Sequence, residues 1–283
     1  MSWQTLVDAA ALDAELANPS LVVVDCRFDL SDPASGERAW LAGHVPGARY
    51  AHLDRDVSDL SRRGHGRHPL PAADAFCAAL ERWGVTPSHQ VVAYDAEGGL
   101  FAARLWWMLR LLGHRDVAVL DGGVQAWVEH GGALERSVPR AGKGSYKARF
   151  DVRAIATTAV VAARMASGNG MLLDARAPER FRGEIEPLDP RAGHVPGALN
   201  RFFRHNLAPN GRFLPTDALA LGFHALLRTV PAAEVVHMCG SGVTACHNLL
   251  AMEHAGLRGS RVYAGSWSEW VAEPSRPVAT GAG

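Results

Sequence analysis

Apolar residues recur along the chain in two alternating patterns. Short runs rich in β-branched residues, Leu21–Val24, Val91–Tyr94 and Val117–Leu120, are bounded by polar residues or glycine, as buried strands of a parallel sheet are. Between them Phe76, Ala79, Leu80 and Trp83 fall at i, i+3, i+4 and i+7, one face of a helix. The second half repeats the alternation, with a strand at Glu234–Met238 and a helix face in Leu219, Phe223, Leu226 and Leu227. The pattern predicts an α/β chain of two tandem domains, each a parallel sheet flanked by helices.

The residues themselves also return. Leu21-Val-Val-Val-Asp25-Cys-Arg27 reappears as Leu172-Leu-Asp174-Ala-Arg176, and Ala42-Gly-His44-Val-Pro-Gly-Ala48 reappears unaltered as Ala192-Gly-His194-Val-Pro-Gly-Ala198. Gln90-Val-Val-Ala-Tyr-Asp95 matches Glu234-Val-Val-His-Met-Cys239, and Gly122 with Trp127 matches Gly265 with Trp270. The expected division is a first domain over 1–138, a linker over 139–152 and a second domain over 153–283. In the linker Pro139, Gly142 and Gly144 stand among basic residues without any apolar period.

Composition narrows the function classes. The 283 residues suit two domains of about 150 each, and 48% hydrophobic with 20% charged is ordinary globular usage. Lysine plus arginine equals aspartate plus glutamate at 29 each, so no general field draws nucleic acid or an anionic membrane. Neither is expected as a partner, and any anion must be bound locally. Cys26, Cys77, Cys239 and Cys246 are too few and too scattered for a disulfide framework, which points to a reducing compartment. Met1–Ala17 carries Asp8, Asp13 and Glu15 with no basic residue, unlike a leader. The apolar stretch Leu100–Leu112 is too short to span a bilayer and is interrupted by Arg104 and Arg110. A soluble, cytoplasmic protein is expected.

One position separates the two copies. Ligands of parallel α/β sheets bind at the carboxyl ends of strands, and there the first copy has Asp95-Ala-Glu-Gly-Gly while the second has Cys239-Gly240-Ser241-Gly242-Val243-Thr244. A helix beginning near Val243 would aim backbone N–H groups and the positive end of its dipole at the Cys239 sulfur, which favours thiolate. Cys26, Cys77 and Cys246 read as packed core residues.

The repeat, the two Gly-His-Val-Pro-Gly-Ala motifs and the Cys239–Thr244 loop together resemble the tandem-domain rhodanese superfamily of sulfurtransferases, over nearly the whole chain. The loop is similar to that of the 3-mercaptopyruvate sulfurtransferases; the thiosulfate enzymes carry basic residues where Gly240 and Ser241 stand. The resemblance implies a sulfane sulfur carried as a Cys239 persulfide. It would be taken from a small-molecule donor, mercaptopyruvate or thiosulfate, and passed to a thiol, thioredoxin or cyanide, with no cofactor or metal. The backbone of Gly240, Gly242, Val243 and Thr244 would line the substrate site. The first domain, with Asp95, would be catalytically silent and form one wall of the cleft. Phosphatases of this fold need an arginine six residues after the cysteine, and Ala245 stands at the end of this shorter loop instead.

By the same resemblance Arg180 binds the donor carboxylate. The family's second arginine follows a Glu-Pro pair; here Glu186-Pro187 precedes Leu188, and the next arginine, Arg191, is the candidate for that place. Ser241 is expected to pair with His68 and Asp56 of the first domain. His65 and His68, with His52 near, lack a cysteine or carboxylate at ligand spacing and make a poor metal site. His44 and His194, present in both copies, read as structural groups at a turn. The alternatives are a thiosulfate sulfurtransferase and a non-catalytic sulfur carrier or redox sensor. Arginines facing Cys239 argue against a carrier, which needs no small-molecule clamp.

Overall fold

Each half of the chain builds one fully parallel five-stranded sheet in a computed structural model that describes residues 2–140, 144–167 and 170–282. The first sheet is formed by β1 (Leu6–Val7), β2 (Leu21–Asp25), β3 (Arg49–Tyr50), β4 (Gln90–Tyr94) and β5 (Val117–Leu120), in the order β1-β5-β4-β2-β3. The second is formed by β6 (Ile155–Ala156), β7 (Met171–Asp174), β8 (Leu199–Asn200), β9 (Val235–Met238) and β10 (Arg261–Tyr263), in the order β6-β10-β9-β7-β8. The orders are the same, so the sequence repeat is a repeat of topology. Parallel neighbours require crossover connections, and the intervening helices supply them.

Burial follows the predicted pattern. Every residue of β4, β5 and β9 is buried. Helix Ala73–Trp83 buries Phe76, Ala79, Leu80 and Trp83, and helix Thr216–Leu227 buries Leu219, Phe223 and Leu227. Each large apolar side chain so covered contributes about 1.5–3 kcal/mol.

The repeated Asp-x-Arg motif closes both sheets in one way. Arg27 Nη2 lies 2.6 Å from Asp25 Oδ2 and 2.7 Å from the Gly43 carbonyl. Arg176 Nη2 lies 2.6 Å from Asp174 Oδ2 and 2.7 Å from the Gly193 carbonyl. Each pair ties a strand end to the following Gly-His-Val-Pro-Gly turn. The turn histidines are held locally: His44 Nδ1 is 2.7 Å from the Trp40 carbonyl, and His194 Nδ1 is 2.8 Å from the Phe181 carbonyl.

The chain divides into two compact units, with the main boundary between Asp151 and Val152. Leu60–Leu70 belongs to the second unit and Pro209–Phe213 to the first, each out of sequence order. His68, expected in the first domain, is thus a residue of the second unit, whereas Asp56 belongs to the first. Residues 141–143 of the expected linker lie outside the described residues. Among the described residues no helix is long and apolar enough to cross a membrane.

Candidate active site

β9 ends at Met238 and delivers Cys239, 2% exposed, to a tight turn before helix Thr244–His254, which Val243 caps. Gly242 makes that turn. Its φ is +79°, and a Cβ there would sit 2.2 Å from the Ala264 carbonyl oxygen, so no other residue fits. The Gly242 N–H donates to Cys239 Sγ at 3.1 Å. The helix amino terminus lies just beyond, adding positive potential near the sulfur.

A second loop holds the first in place. The Cys239 N–H donates to Ser266 Oγ at 3.1 Å, and the Cys239 and Gly240 carbonyls accept from Trp267 N and Ser268 N at 3.0 and 2.9 Å. Ser266 adopts φ +53°, a conformation uncommon outside glycine; its first-unit counterpart Gly123 has φ +60° without that cost. The hydroxyl repays the strain by bridging Cys239 N–H and the Tyr263 carbonyl.

In the first unit the matching loop is already filled. Asp95 Oδ1 accepts from Glu97 N and Gly99 N at 2.8 and 2.9 Å, and Oδ2 from Phe101 N and Ala102 N at 2.7 and 2.9 Å. Burial pushes this carboxyl up, and the four N–H donors pull against it. The loop after β4 is an anion cradle occupied by its own side chain, and the loop after β9 carries sulfur at the same position.

Within the second unit, several sequence-predicted residues meet at Cys239. His68 Nδ1 lies 2.8 Å from Ser241 Oγ, and the two residues are 4% and 6% exposed. Arg180 Nη2 contacts Glu186 Oε1 at 2.5 Å and Asp189 Oδ2 at 3.4 Å. Arg176 stacks over the Trp267 ring at 4.6 Å; burial pulls its guanidinium down, but the charges of Asp174, Glu186 and Cys239 hold it above its ordinary value.

Two further residues named from the sequence have partners of their own. Arg191 Nη1 donates to the Pro274 and Arg276 carbonyls at 3.1 and 3.0 Å, which fastens the C-terminal segment. Asp56 is engaged at its own turn. One of its oxygens accepts the His52 N–H at 2.8 Å, closing the turn Leu53–Asp56, and the other pairs with Arg82 at 2.7 Å.

Sequence reasoning missed Arg67 and Asp189, which form an ion pair at 2.6 Å. The signal available was an arginine next to His68. The other cysteines differ from Cys239 in setting. Burial, then the Asp25 charge, pushes the Cys26 thiol well up; burial raises Cys77; and Cys246 Sγ donates to the Gly242 carbonyl at 3.2 Å. His52 Nδ1 caps the Asp54 N–H, and His65 is exposed. Among the described residues no three His, Cys, Asp or Glu side chains gather as metal ligands would.

One parallel α/β unit built twice, with a thiol at the strand end of one copy and a carboxylate in the other, is a fold with one reactive loop. By its sequence the chain belongs to the rhodanese family, since the rhodanese-like domain matches residues 8–130 and again 157–273. A Pseudomonas aeruginosa protein named "Probable 3-mercaptopyruvate sulfurtransferase" is 49% identical, covering 99% of this chain and 100% of that protein. A Mycobacterium tuberculosis protein named "Putative thiosulfate sulfurtransferase SseB" is 37% identical, covering 98% of each. The crystal structure of SseA from Escherichia coli, described for the rhodanese fold and mechanism of 3-mercaptopyruvate sulfotransferases, superposes with a TM-score of 0.81. It is 30% identical and covers 94% of this chain and 100% of that one.

Proposed function

We propose that the protein is a 3-mercaptopyruvate sulfurtransferase working through a Cys239 persulfide in a ping-pong sequence. The observation that carries this reading is the Cys239 loop itself, with Ser241 joined to His68 and the Arg180 guanidinium facing Gly240. Arg180 offers the donor carboxylate a charge-assisted hydrogen bond. The Cys239 thiolate attacks the donor sulfur and forms an S–S bond. The S–C bond breaks with its electron pair going to carbon, which leaves as the enolate of pyruvate. Ser241, backed by His68, delivers the proton that turns the enolate into pyruvate. A thiolate or cyanide acceptor then attacks the outer sulfur, and the S–S pair returns to Cys239, where the Gly242 N–H and the helix terminus receive the negative charge. Sulfur is oxidised as carbon is reduced, so the electrons balance within the donor.

The acceptors that fit are small thiols, a thioredoxin-like dithiol or cyanide. The four cysteines are all free, which supports work in a reducing compartment such as the cytoplasm. Thiosulfate is the second donor reading, favoured by the Mycobacterium tuberculosis relative's name. Initial rates with both donors and cyanide as acceptor decide between them. The expected kcat/KM for mercaptopyruvate exceeds that for thiosulfate by about tenfold or more, as a site that hydrogen-bonds one substrate's polar groups discriminates against another. Equal or faster transfer from thiosulfate would replace mercaptopyruvate as the donor.

A further inference from the structure

We infer that Arg63, on the exposed side of the Leu60–Leu70 loop, recognises a carboxylate on the thiol that takes the sulfur, so that the favoured acceptor is an anionic thiol. The inference rests on the Cys239 persulfide reading and adds the acceptor's class to it. The loop carries Arg62, Arg63, His65, Arg67 and His68 with no aspartate or glutamate, in a chain whose acids and bases balance at 29 each. It is a local excess of positive charge, and its place in the second unit puts that charge beside the nucleophile.

The two sides of the loop have different settings. Its carboxyl-terminal side is built into the cysteine loop: His68 Nδ1 lies 2.8 Å from Ser241 Oγ, and the Arg67 N–H donates to Ser268 Oγ at 2.9 Å. The Ser268 N–H in turn donates to the Gly240 carbonyl at 2.9 Å. Gly66 permits this approach, with φ +92° and the Gly265 carbonyl oxygen only 2.6 Å from where a Cβ would stand. Arg62 Nη1 donates to the Leu70 carbonyl at 2.7 Å and draws the loop shut at its base. That closure leaves Arg63 and His65 outermost. Both are exposed, and neither side chain has a hydrogen-bond or ion-pair partner among the described residues.

Position decides which substrate meets Arg63. Arg67 is matched by Asp189 at 2.6 Å and Arg180 by Glu186 at 2.5 Å, whereas the Arg63 charge is unmatched. Arg63 stands four residues before Arg67, at most about 14 Å along the chain, and Arg67 Nη2 would lie 3.0 Å from a Cβ on Gly240. A ligand whose sulfur is at Cys239 therefore meets Arg63 only through a carboxylate carried on a longer arm. Mercaptopyruvate holds its carboxylate close to its sulfur, which keeps it near Arg180. A thiol arriving from solvent with a distant carboxylate suits the outer guanidinium.

The test loads the full chain with sulfur and measures kcat/KM for discharge to mercaptohexanoate and to mercaptohexanol, thiols alike except for the carboxylate. In a ping-pong sequence this quantity reports the second half-reaction alone, so either mercaptopyruvate or thiosulfate serves for loading. The ratio of the two values, acid over alcohol, is expected to fall about twofold to fivefold in Arg63→Ala, the worth of an exposed charge pair. It should fall further in Arg63→Glu, recover in Arg63→Lys, and shrink in wild type at high salt. An unchanged ratio in Arg63→Glu would overturn the inference. So would an equal fall in kcat/KM for 3-mercaptopyruvate, which would assign the loop to the donor. Failure to load Cys239 from either donor would sink the persulfide reading and this inference with it, whereas normal loading without a carboxylate preference would sink this inference alone.

Discussion

Ser241 and His68 lie 2.8 Å apart, both buried, and what the pair can do depends on the leaving group it serves. Mercaptopyruvate leaves a carbanion-like enolate that must take a proton, whereas thiosulfate leaves as sulfite, stable as an anion. His68→Ala should therefore slow transfer from mercaptopyruvate by about a hundredfold to ten-thousandfold while slowing transfer from thiosulfate far less. Equal slowing with both donors would mean that His68 only holds the loop in shape. The Cys239–Ser241 loop stood out in the sequence because the two copies diverge there. Arg67 with Asp189 did not, since an ion pair between residues 122 apart leaves no spacing to read. Asp56, four residues after His52, closes its own turn, a local role that spacing alone makes readable.

At the scale of elements, β9 carries the site and also a liability. His237, fully buried on that strand where the first copy has Ala93, has its imidazole pushed down to about 3 by burial, with Nε2 at 3.1 Å from Ser260 Oγ. The folded state holds it neutral while the unfolded chain protonates near 6.5. Its contribution to stability is complete above pH 6.5 and drains as pH falls toward 3, at up to about 1.4 kcal/mol per pH unit. Urea midpoints at pH 7 and pH 5 should drop more steeply for wild type than for His237→Gln, and parallel slopes would contradict the assignment. The strands that sequence pattern found, β2, β4, β5 and β9, are four or five residues long and mostly buried. The edges β1, β3, β6 and β8, two residues each, offer no period, and pairing alone defines them.

Over the whole molecule, duplication fixes the fold twice and the chemistry once. The same sheet order, the same Asp-x-Arg tie and the same histidine turn recur in both units, so these features serve folding. What differs is the strand-end residue, a carboxylate filling its own cradle in one unit and a thiol in the other. The repeat, and with it the tandem architecture, could be read from the chain because both copies kept their turn residues. The exchange of Leu60–Leu70 into the second unit could not, since the segment carries no apolar period to mark its allegiance. The central claim is that Cys239 alone carries the sulfur. It is tested most directly by peptide-resolved mass spectrometry after brief exposure to 3-mercaptopyruvate without acceptor. The account predicts one added sulfur on the peptide holding Cys239 in wild type, and none anywhere in Cys239→Ser. Added sulfur found mainly on Cys26, Cys77 or Cys246, or retained in Cys239→Ser, would contradict it.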